Sequence, residues 1–490
     1  MNVRPAFLKP WYLIFLPVFF VFHGFVENFF LVPVADALLL LLIYIGISVA
    51  LAALFWLYFR NIDKAVLFVF LLMAFNFFFG LCFETLNRFF ADTFIIKYSV
   101  ILSVALLVFV TLAILIKKRT RGLQKLSLYL NLVFSVFIIV DVAILIKKVL
   151  TTREEKHFFS DRILPCHKTD LPDVYLVIAD EYAGEKDLKE VCGFDNSFFL
   201  DSLRKMGFFV ANNSRSNYNY TSYSMASLLN MDYLPLSNDQ IKTADHKFVF
   251  DLIRNNRITS FFRKSGYTVY NYSMFDIKEL ASKNTSSFIP ARTKLFTSQT
   301  LFDHLKKDVW LNFARKAGLN SVLKNAVFEN LIYNNEIYQS SINNIHSADT
   351  ARKFVYTHLS LPHYPYYFDS AGNQYSYQQI RSDVPGNIKS YTSYLQYTNR
   401  QLLKLVNEIF QHSSSPPVII LMSDHGYRSY PKGGDAYVFV NLFSIYLPNK
   451  NHDLFNDSIT NVNVFRSLLN STFCQQLPLK KDTAITIENY

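Results

Sequence analysis

The chain begins with a long apolar region that is broken only by short polar interruptions between Trp11 and Ile146. A helix needs about 20 apolar residues to cross a bilayer. Five windows of this length fit into the region, at residues 11–31, 37–59, 65–87, 95–116 and 126–146. We therefore expect a bundle of about five transmembrane helices over residues 1–150.

The pattern changes after residue 150. Residues 151–171 are mostly polar or charged, which indicates a linker. Short apolar runs then alternate with amphipathic stretches, a pattern typical of a mostly parallel sheet with helices on both faces. The expected strands are residues 174–179, 208–210, 267–270, 354–359, 418–422 and 443–447, and the expected helices are 196–206, 248–264, much of 298–346, 391–410 and 459–472. Residues 172–490 are thus expected to form one α/β domain.

Basic residues predict the orientation of the bundle. The amino terminus and residues 60–64 and 117–121 hold most of the Lys and Arg, whereas the opposite loops are mainly acidic. Basic loops remain in the cytoplasm, so the amino terminus is expected there. An odd number of spans then exports everything after residue 150 to the extracytoplasmic or periplasmic side of the inner cell membrane.

The net charge of +11 does not predict nucleic-acid binding. The first 150 residues hold 13 basic and 6 acidic side chains, so much of the excess belongs to the orientation signal. The excess that remains is small for the rest of the chain, and no nucleic-acid partner is expected.

The four cysteines allow little cross-linking. Cys82 lies in the third predicted span, and Cys166, Cys192 and Cys474 lie in the exported part. Three thiols allow at most one disulfide there, and their spacing is not that of a zinc motif.

Two predicted strands end in groups that suit a metal ion. Asp180 and Glu181 follow the strand 174–179, and Asp424, His425 and Gly426 follow the strand 418–422. The carboxyl ends of parallel strands meet at one edge of a sheet, where α/β proteins bind ligands. Adjacent buried carboxylates need a neutralising cation. A strand end that meets solvent also explains the first pair, and a helix cap with an incidental histidine also explains the second.

Three further residues are candidates for the chemistry. Thr221 opens an apolar helix, where a hydroxyl is either an N-cap or a nucleophile at an anion-binding helix start. His358 and His363 flank the end of the strand 354–359, and Pro362 and Pro365 fix His363 on a rigid loop. A loop histidine at a strand end is a plausible acid or base, whereas His358 taken alone favours a structural role.

The order of these groups resembles the alkaline phosphatase superfamily, specifically its sulfatase-like branch, over residues 172–475. The nucleophile segment of sulfatases reads Cys-x-Pro-Ser-Arg-Ala-Ser-Leu-Leu. Residues 221–229 match it with Thr221 in place of the cysteine and Met225 in place of the arginine. Without the cysteine no formylglycine can form, so ordinary sulfatase activity is not expected.

A threonine nucleophile below several transmembrane helices is similar to lipoteichoic acid synthases and to lipid A phosphoethanolamine transferases. The spacing of His358 and His363 resembles the histidine loop of the transferases. The chain differs from the transferases in two ways. Its histidine loop lacks their Gly-Ser-His-Gly-Pro sequence, and it has Asp180-Glu181 where they have a single Glu.

The resemblance and the residues together imply a metal-dependent phosphotransferase. A divalent ion (zinc, manganese, magnesium or calcium) would lower the pKa of the Thr221 hydroxyl, which would attack a phosphodiester. His363 or His358 would protonate the departing alcohol. The implied metal ligands are Asp180, Glu181, Thr221, Asp424 and His425.

The expected partners are a phospholipid donor, held close by the membrane anchor, and a glycan or lipid acceptor. The transferred group would be a phospho-alcohol such as phosphoethanolamine or phosphoglycerol. Two alternatives stay open. One is a phosphodiesterase or phosphatase of the same fold, and the other is a catalytically inactive envelope protein.

Overall fold

A computed structural model describes residues 8–29, 31–90, 93–120, 122–151, 159, 161–236, 243–282, 291–310, 327–349, 351–429 and 437–487. Contacts divide the chain into two compact units. The first comprises Met1–Lys156 and Thr285–Leu323, and the second comprises His157–Asn284 and Lys324–Tyr490. Residues 285–323 therefore group with the apolar helices, which differs from the predicted boundary that gave all of 172–490 to one domain.

The secondary structure follows the predicted alternation. The helices are α1 (Tyr12–Glu27), α2 (Val34–Phe59), α3 (Ile62–Phe77), α4 (Phe79–Phe90), α5 (Tyr98–Lys118), α6 (Gln124–Thr151), α7 (Glu185–Glu190), α8 (Ser197–Lys205), α9 (Thr221–Asn230), α10 (Thr243–Arg254), α11 (Arg257–Lys264), α12 (Lys294–Thr297), α13 (Leu301–His304), α14 (Glu329–Ile345), α15 (Tyr377–Ser382), α16 (Ile388–His412) and α17 (Asn461–Thr472). The strands are β1 (Val174–Ala179), β2 (Phe209–Val210), β3 (Thr268–Tyr272), β4 (Lys353–Leu359), β5 (Val418–Met422) and β6 (Phe443–Tyr446).

All five predicted spans are helical, but they differ in length. Among the described residues, α2, α5 and α6 are long and apolar enough to cross a membrane. The pair α3 and α4, bent by 56°, makes a fourth if it is one span, and α1 has only 16 residues. The five expected spans thus correspond to three long helices, one bent helix pair that counts as a fourth if it is one span, and one shorter apolar helix. Such helices are those of a membrane-anchored protein.

The second unit is built on one six-stranded sheet in the order β2-β6-β5-β1-β4-β3. Strands β1, β3, β4 and β5 are parallel, and β2 and β6 pair antiparallel. Alternate residues of β1 enter two hydrophobic cores, one on each face. A sheet covered on both faces needs strands that are apolar throughout, which is why these runs were visible in the sequence. The predicted mostly parallel α/β sheet is confirmed.

Three local features differ from the prediction. The expected helix 248–264 is two helices, because Asn256 caps α11 by accepting a hydrogen bond from the Thr259 amide. Part of the expected helical stretch 298–346 lies outside the described residues. The later part of the predicted linker packs on the second unit, where Cys166 is buried and forms a disulfide with Cys474.

Candidate active site

The sheet brings the predicted strand-end groups together. Strand β1 lies between β4 and β5, with Ile178 paired to both His358 and Met422. Asp180 therefore follows β1 between the end of β4 and the loop that carries Asp424. Helix α9 approaches the same edge, where the Ser224 hydroxyl donates a hydrogen bond to the Asp424 carbonyl at 2.5 Å.

Thr221 is the first residue of α9, and the N-cap position belongs to Tyr220. The Thr221 hydroxyl lies 3.2 Å from Nε2 of His425. An N-cap role for Thr221, one of the two predicted alternatives, is therefore wrong. The hydroxyl instead stands at the positive end of a helix, beside an imidazole.

His425 is oriented by its own loop. Its Nδ1 lies 2.7 Å from the Gly426 carbonyl oxygen, so Nδ1 carries the proton and Nε2 presents its lone pair. Nε2 faces Asp424 Oδ2 at 3.2 Å and Asp180 Oδ1 at 3.7 Å. No described helix begins at this loop, so the helix-cap explanation of Asp424-His425 is also wrong.

Unpaired polar atoms at this edge fit a cation. Asp180 Oδ1, Asp424 Oδ2 and His358 Nε2 are buried and have no hydrogen-bond partner in the described structure. Ligand atoms of these three residues lie within 4.8 Å of one another. Buried polar atoms are normally satisfied, and two carboxylates next to neutral imidazoles suit a divalent ion. The residues present therefore fit the expected metal.

The pKa values at the site agree with this assignment. Burial and the neighbouring Asp424 carboxylate raise the pKa of Asp180. Burial lowers the pKa of His358 to about 4 and also lowers the pKa of His425. Both imidazoles are thus neutral near pH 7 and retain a lone pair for a metal.

The Glu181 carboxylate has other partners. Its Oε1 accepts a hydrogen bond from the Arg428 amide at 3.0 Å, and its Oε2 lies 3.6 Å from His363 Nε2. The Glu181 backbone has a φ of 62°, in the left-handed region that non-glycine residues rarely adopt. The Tyr391 hydroxyl donates to the Glu181 carbonyl at 2.9 Å and supports this turn. Glu181 as a metal ligand stays a prediction.

The two candidate histidines have different surroundings. His358 is fully buried at the end of β4, with Nδ1 2.9 Å from the Tyr356 hydroxyl and Nε2 4.0 Å from Asp180 Oδ2. The side chain of His363 is 29% exposed. Burial lowers the pKa of His363, but Asp180 and Glu181 outweigh it and the pKa is raised. His358 thus resembles a metal ligand, whereas His363 resembles an acid that is open to substrate.

Arg428 is a site residue that the sequence analysis missed. Its guanidinium lies 5.1 Å from the centre of the Tyr220 ring, and its Nη2 lies 3.3 Å from His363 Nε2. Its Nε is 3.9 Å from Glu181 Oε1. The available signal was its position two residues after Gly426, because a residue so close in sequence to Asp424 and His425 stays near them in the fold.

A known protein family matches more than half of the chain. A model of the family described as Sulfatase matches residues 179–466. No curated protein matches the chain. Among solved structures, the C-terminal periplasmic domain of EcEptC from Escherichia coli is 14% identical, with 64% of this chain and 86% of that chain covered and a TM-score of 0.36.

Two other solved structures are similar at the same level. The periplasmic domain of phosphoethanolamine transferase EptC from Campylobacter jejuni is 12% identical, with 63% and 92% covered and a TM-score of 0.35. Phosphonate monoester hydrolase of Agrobacterium radiobacter is 12% identical, with 61% and 73% covered and a TM-score of 0.38. These values carry no information on the reaction. The family model, however, covers more than half of the chain, and the chain therefore belongs to the Sulfatase family.

Proposed function

We propose that this protein is a membrane-anchored, metal-dependent phosphotransferase. It moves a phospho-alcohol headgroup, such as phosphoethanolamine or phosphoglycerol, from a phospholipid to an envelope glycan or lipid through a phosphoryl-threonine intermediate. The observation that carries the proposal is the Thr221 hydroxyl, which lies 3.2 Å from His425 Nε2 at the start of α9. A hydroxyl in this position can attack phosphorus without the modified cysteine that sulfate ester hydrolysis in this family requires.

The metal would be held by Asp180, Asp424 and His425, with His358 as a fourth protein ligand. When bound, a divalent ion supplies Lewis acidity that lowers the pKa of a nearby hydroxyl and offsets charge on phosphoryl oxygens. The four side chains come from the ends of three adjacent strands, so the sheet holds them rigidly.

The proposed reaction has two steps. Thr221 Oγ loses its proton to solvent and forms a bond to phosphorus, while the bond from phosphorus to the diacylglycerol oxygen breaks. Asp180 and Glu181 raise the pKa of His363, which favours its protonated form, and this imidazolium gives its proton to that departing oxygen. In the second step, His363 takes the proton of the acceptor alcohol, whose oxygen forms a bond to phosphorus while the bond from phosphorus to Thr221 Oγ breaks. Thr221 Oγ then regains a proton from solvent.

Arg428 balances the charge of the substrate. A phosphodiester is an anion and must approach the carboxylates of Asp180, Glu181 and Asp424. The sulfatase-like motif places an arginine where this chain has Met225, and Met225 is fully buried. Arg428, next to Glu181 and His363, supplies a cation on the substrate side instead.

Two features support a site outside the cytoplasm. The first is the set of apolar helices, whose basic loops predict an orientation that exports the second unit. The Cys166–Cys474 disulfide, with a Cα–Cα distance of 6.0 Å, suits an oxidising compartment. A site that is tethered to the membrane keeps phospholipid headgroups at a high local concentration.

The test is mass spectrometry of the full-length protein, incubated in vesicles of phosphatidylethanolamine or phosphatidylglycerol with a divalent metal. We expect a phospho-alcohol adduct on Thr221, no adduct in Thr221→Ala, and an unchanged adduct in Ser222→Ala, the matched control at the adjacent hydroxyl. An equal adduct in Thr221→Ala would contradict the nucleophile assignment.

The same experiment separates the alternatives. An adduct that only water releases, with free phospho-alcohol as the product, would identify a phosphodiesterase. No metal binding and no adduct with either lipid would favour the inactive envelope protein and overturn the proposal.

A further inference from the structure

We propose that the protein has a second metal site, for a zinc-class divalent ion, formed by His346, Glu408 and His412. His346 directly follows α14, and Glu408 and His412 lie one turn apart in the last turns of α16. Candidate ligand atoms of the three side chains all lie within 4.8 Å of one another. This cluster is independent of the proposed function.

The topology separates this cluster from the candidate active site. Helix α14 leads into the first residue of β4, and α16 leads into the first residue of β5. The cluster therefore lies at the amino ends of the parallel strands, whereas Asp180 and Asp424 follow their carboxyl ends. Strand β4 has 7 residues, and at about 3.3 Å per residue the two places are roughly 20 Å apart.

The distances within the cluster suit coordination. His346 Nε2 lies 2.8 Å from Glu408 Oε2. In a tetrahedral zinc site with metal–ligand distances of about 2.0 Å, two ligand atoms lie about 3.3 Å apart. The observed distance is close to this separation. The two imidazole rings have centroids 4.1 Å apart. His412 Nδ1 lies 3.6 Å from Glu408 Oε2 and 3.0 Å from the Glu408 carbonyl oxygen.

The core packing fixes the helices that carry the cluster. Ile345 precedes His346, and Leu405 and Ile409 lie beside Glu408; all three are buried in the same core. The ends of α14 and α16 therefore cannot separate without opening that core. A surface ion pair between two mobile side chains lacks this support and contributes little, whereas ligands on rigid elements lose little entropy on binding a metal.

The donor set indicates the ion. Two imidazoles and one carboxylate favour zinc or a similar transition metal over magnesium or calcium, which prefer all-oxygen sites. The side chains of His346 and His412 are 44% and 41% exposed, so the ion can enter from solvent and water can fill the remaining position. With no nucleophile nearby in the cluster, the ion would act as a clip between α14 and α16.

The test uses the full-length protein in detergent and measures zinc stoichiometry and affinity by equilibrium dialysis. We expect His412→Ala and His346→Ala each to lose one equivalent of zinc, or to weaken one class of site by more than about 100-fold, since loss of an outer partner alone costs about 10–100-fold. His167→Ala, which changes an exposed histidine elsewhere in the second unit, should retain full binding. The Thr221 adduct should form as before in all three variants.

A second measurement covers the case of a misfolded variant. In an Asp424→Asn background, which weakens the candidate active site, zinc should still raise the melting temperature, and Glu408→Gln should abolish that rise. Unchanged zinc stoichiometry in His412→Ala, or zinc stabilisation that survives Glu408→Gln, would overturn the second site. These outcomes differ from failure of the proposed function, which would appear as a missing Thr221 adduct.

Discussion

Gly426 lies against the backbone of residues 437–440, and this contact connects the loop of Asp424 and His425 to the segment before β6. A Cβ atom on Gly426 would lie 2.4 Å from the Val440 carbonyl oxygen and 2.7 Å from that of Tyr437. The Gly426 amide also donates to the Val438 carbonyl at 2.8 Å. Only glycine, which has no Cβ atom, therefore allows the two backbone segments to approach this closely.

Replacement of Gly426 by alanine should displace His425. The added methyl group must push backbone atoms aside, at a cost of about 1–3 kcal/mol in stability. A shift of about 1 Å at His425 should lower the rate of Thr221 adduct formation by about 100-fold. Gly46→Ala, where an added Cβ meets nothing within 4 Å, is the control. Wild-type adduct rates in Gly426→Ala would show that His425 does not depend on this contact.

Arg428 should affect the chemical step through its charge. Arg428→Met should lower kcat for phospholipid cleavage by about 10²-fold, the effect of removing one preorganised charge-stabilising group, and Arg428→Lys should restore part of it. Arg400, which also lies over a tyrosine ring but outside the site, provides the control Arg400→Met. A rise in KM alone in Arg428→Met would assign this side chain to substrate binding only.

The sequence predicted some of the site residues but not the contacts of others. Asp180, Asp424 and His425 follow strands that are apolar throughout, and the structure brings them together with Thr221. The placement of His358 next to Asp180 depends on β4 pairing with β1, and strand order is a long-range property that no local pattern encodes. The contacts of Arg428 depend likewise on the folded positions of Tyr220 and His363.

At the scale of elements, the Cys166–Cys474 disulfide fastens the segment that precedes β1 to the chain that follows α17. Leu164 and Gln475 add a pair of hydrogen bonds beside it. The sequence limited the exported cysteines to one disulfide but could not choose the pair, because the two partners are 308 residues apart and only the fold brings them together.

Loss of this disulfide should destabilise the second unit. Cys166→Ser should lower stability by about 2–5 kcal/mol, measured as a lower melting temperature in detergent. Cys192→Ser, the matched control, should lower the melting temperature much less, because Cys192 is not part of this disulfide. Peptide mapping without reductant should recover residues 166 and 474 in one cross-linked pair. A cross-link that contains Cys192 would contradict the assignment.

At the scale of the whole molecule, residues 291–310 pack on the apolar helices although they lie between β3 and β4 in the chain. The Gly80 amide donates to the Gln299 carbonyl at 2.8 Å, and the Tyr98 hydroxyl lies 2.7 Å from His304 Nδ1. The ring of Phe296 fills the space next to Gly24. These contacts involve the helix ends that the basic loops predict to be extracytoplasmic, which agrees with the proposed orientation.

A soluble form of the second unit should require removal of this segment. A chain that starts at residue 161 and keeps residues 285–323 would expose Phe296 and its neighbours to water, so we expect it to aggregate. Replacement of residues 285–323 by a short Gly/Ser linker should give a monodisperse protein in size-exclusion chromatography. Equal behaviour of the two chains would mean that the segment folds without the helices.

The chain therefore passes between the two units three times, near residues 156, 284 and 323. This connectivity bears on shedding from the cell surface. A protease that cuts once between residues 151 and 161 removes only one of the three connections, so the second unit stays attached to the membrane through residues 285–323. Release of the second unit needs further cuts on both sides of that segment, so a single nick leaves this unit tethered to the apolar helices.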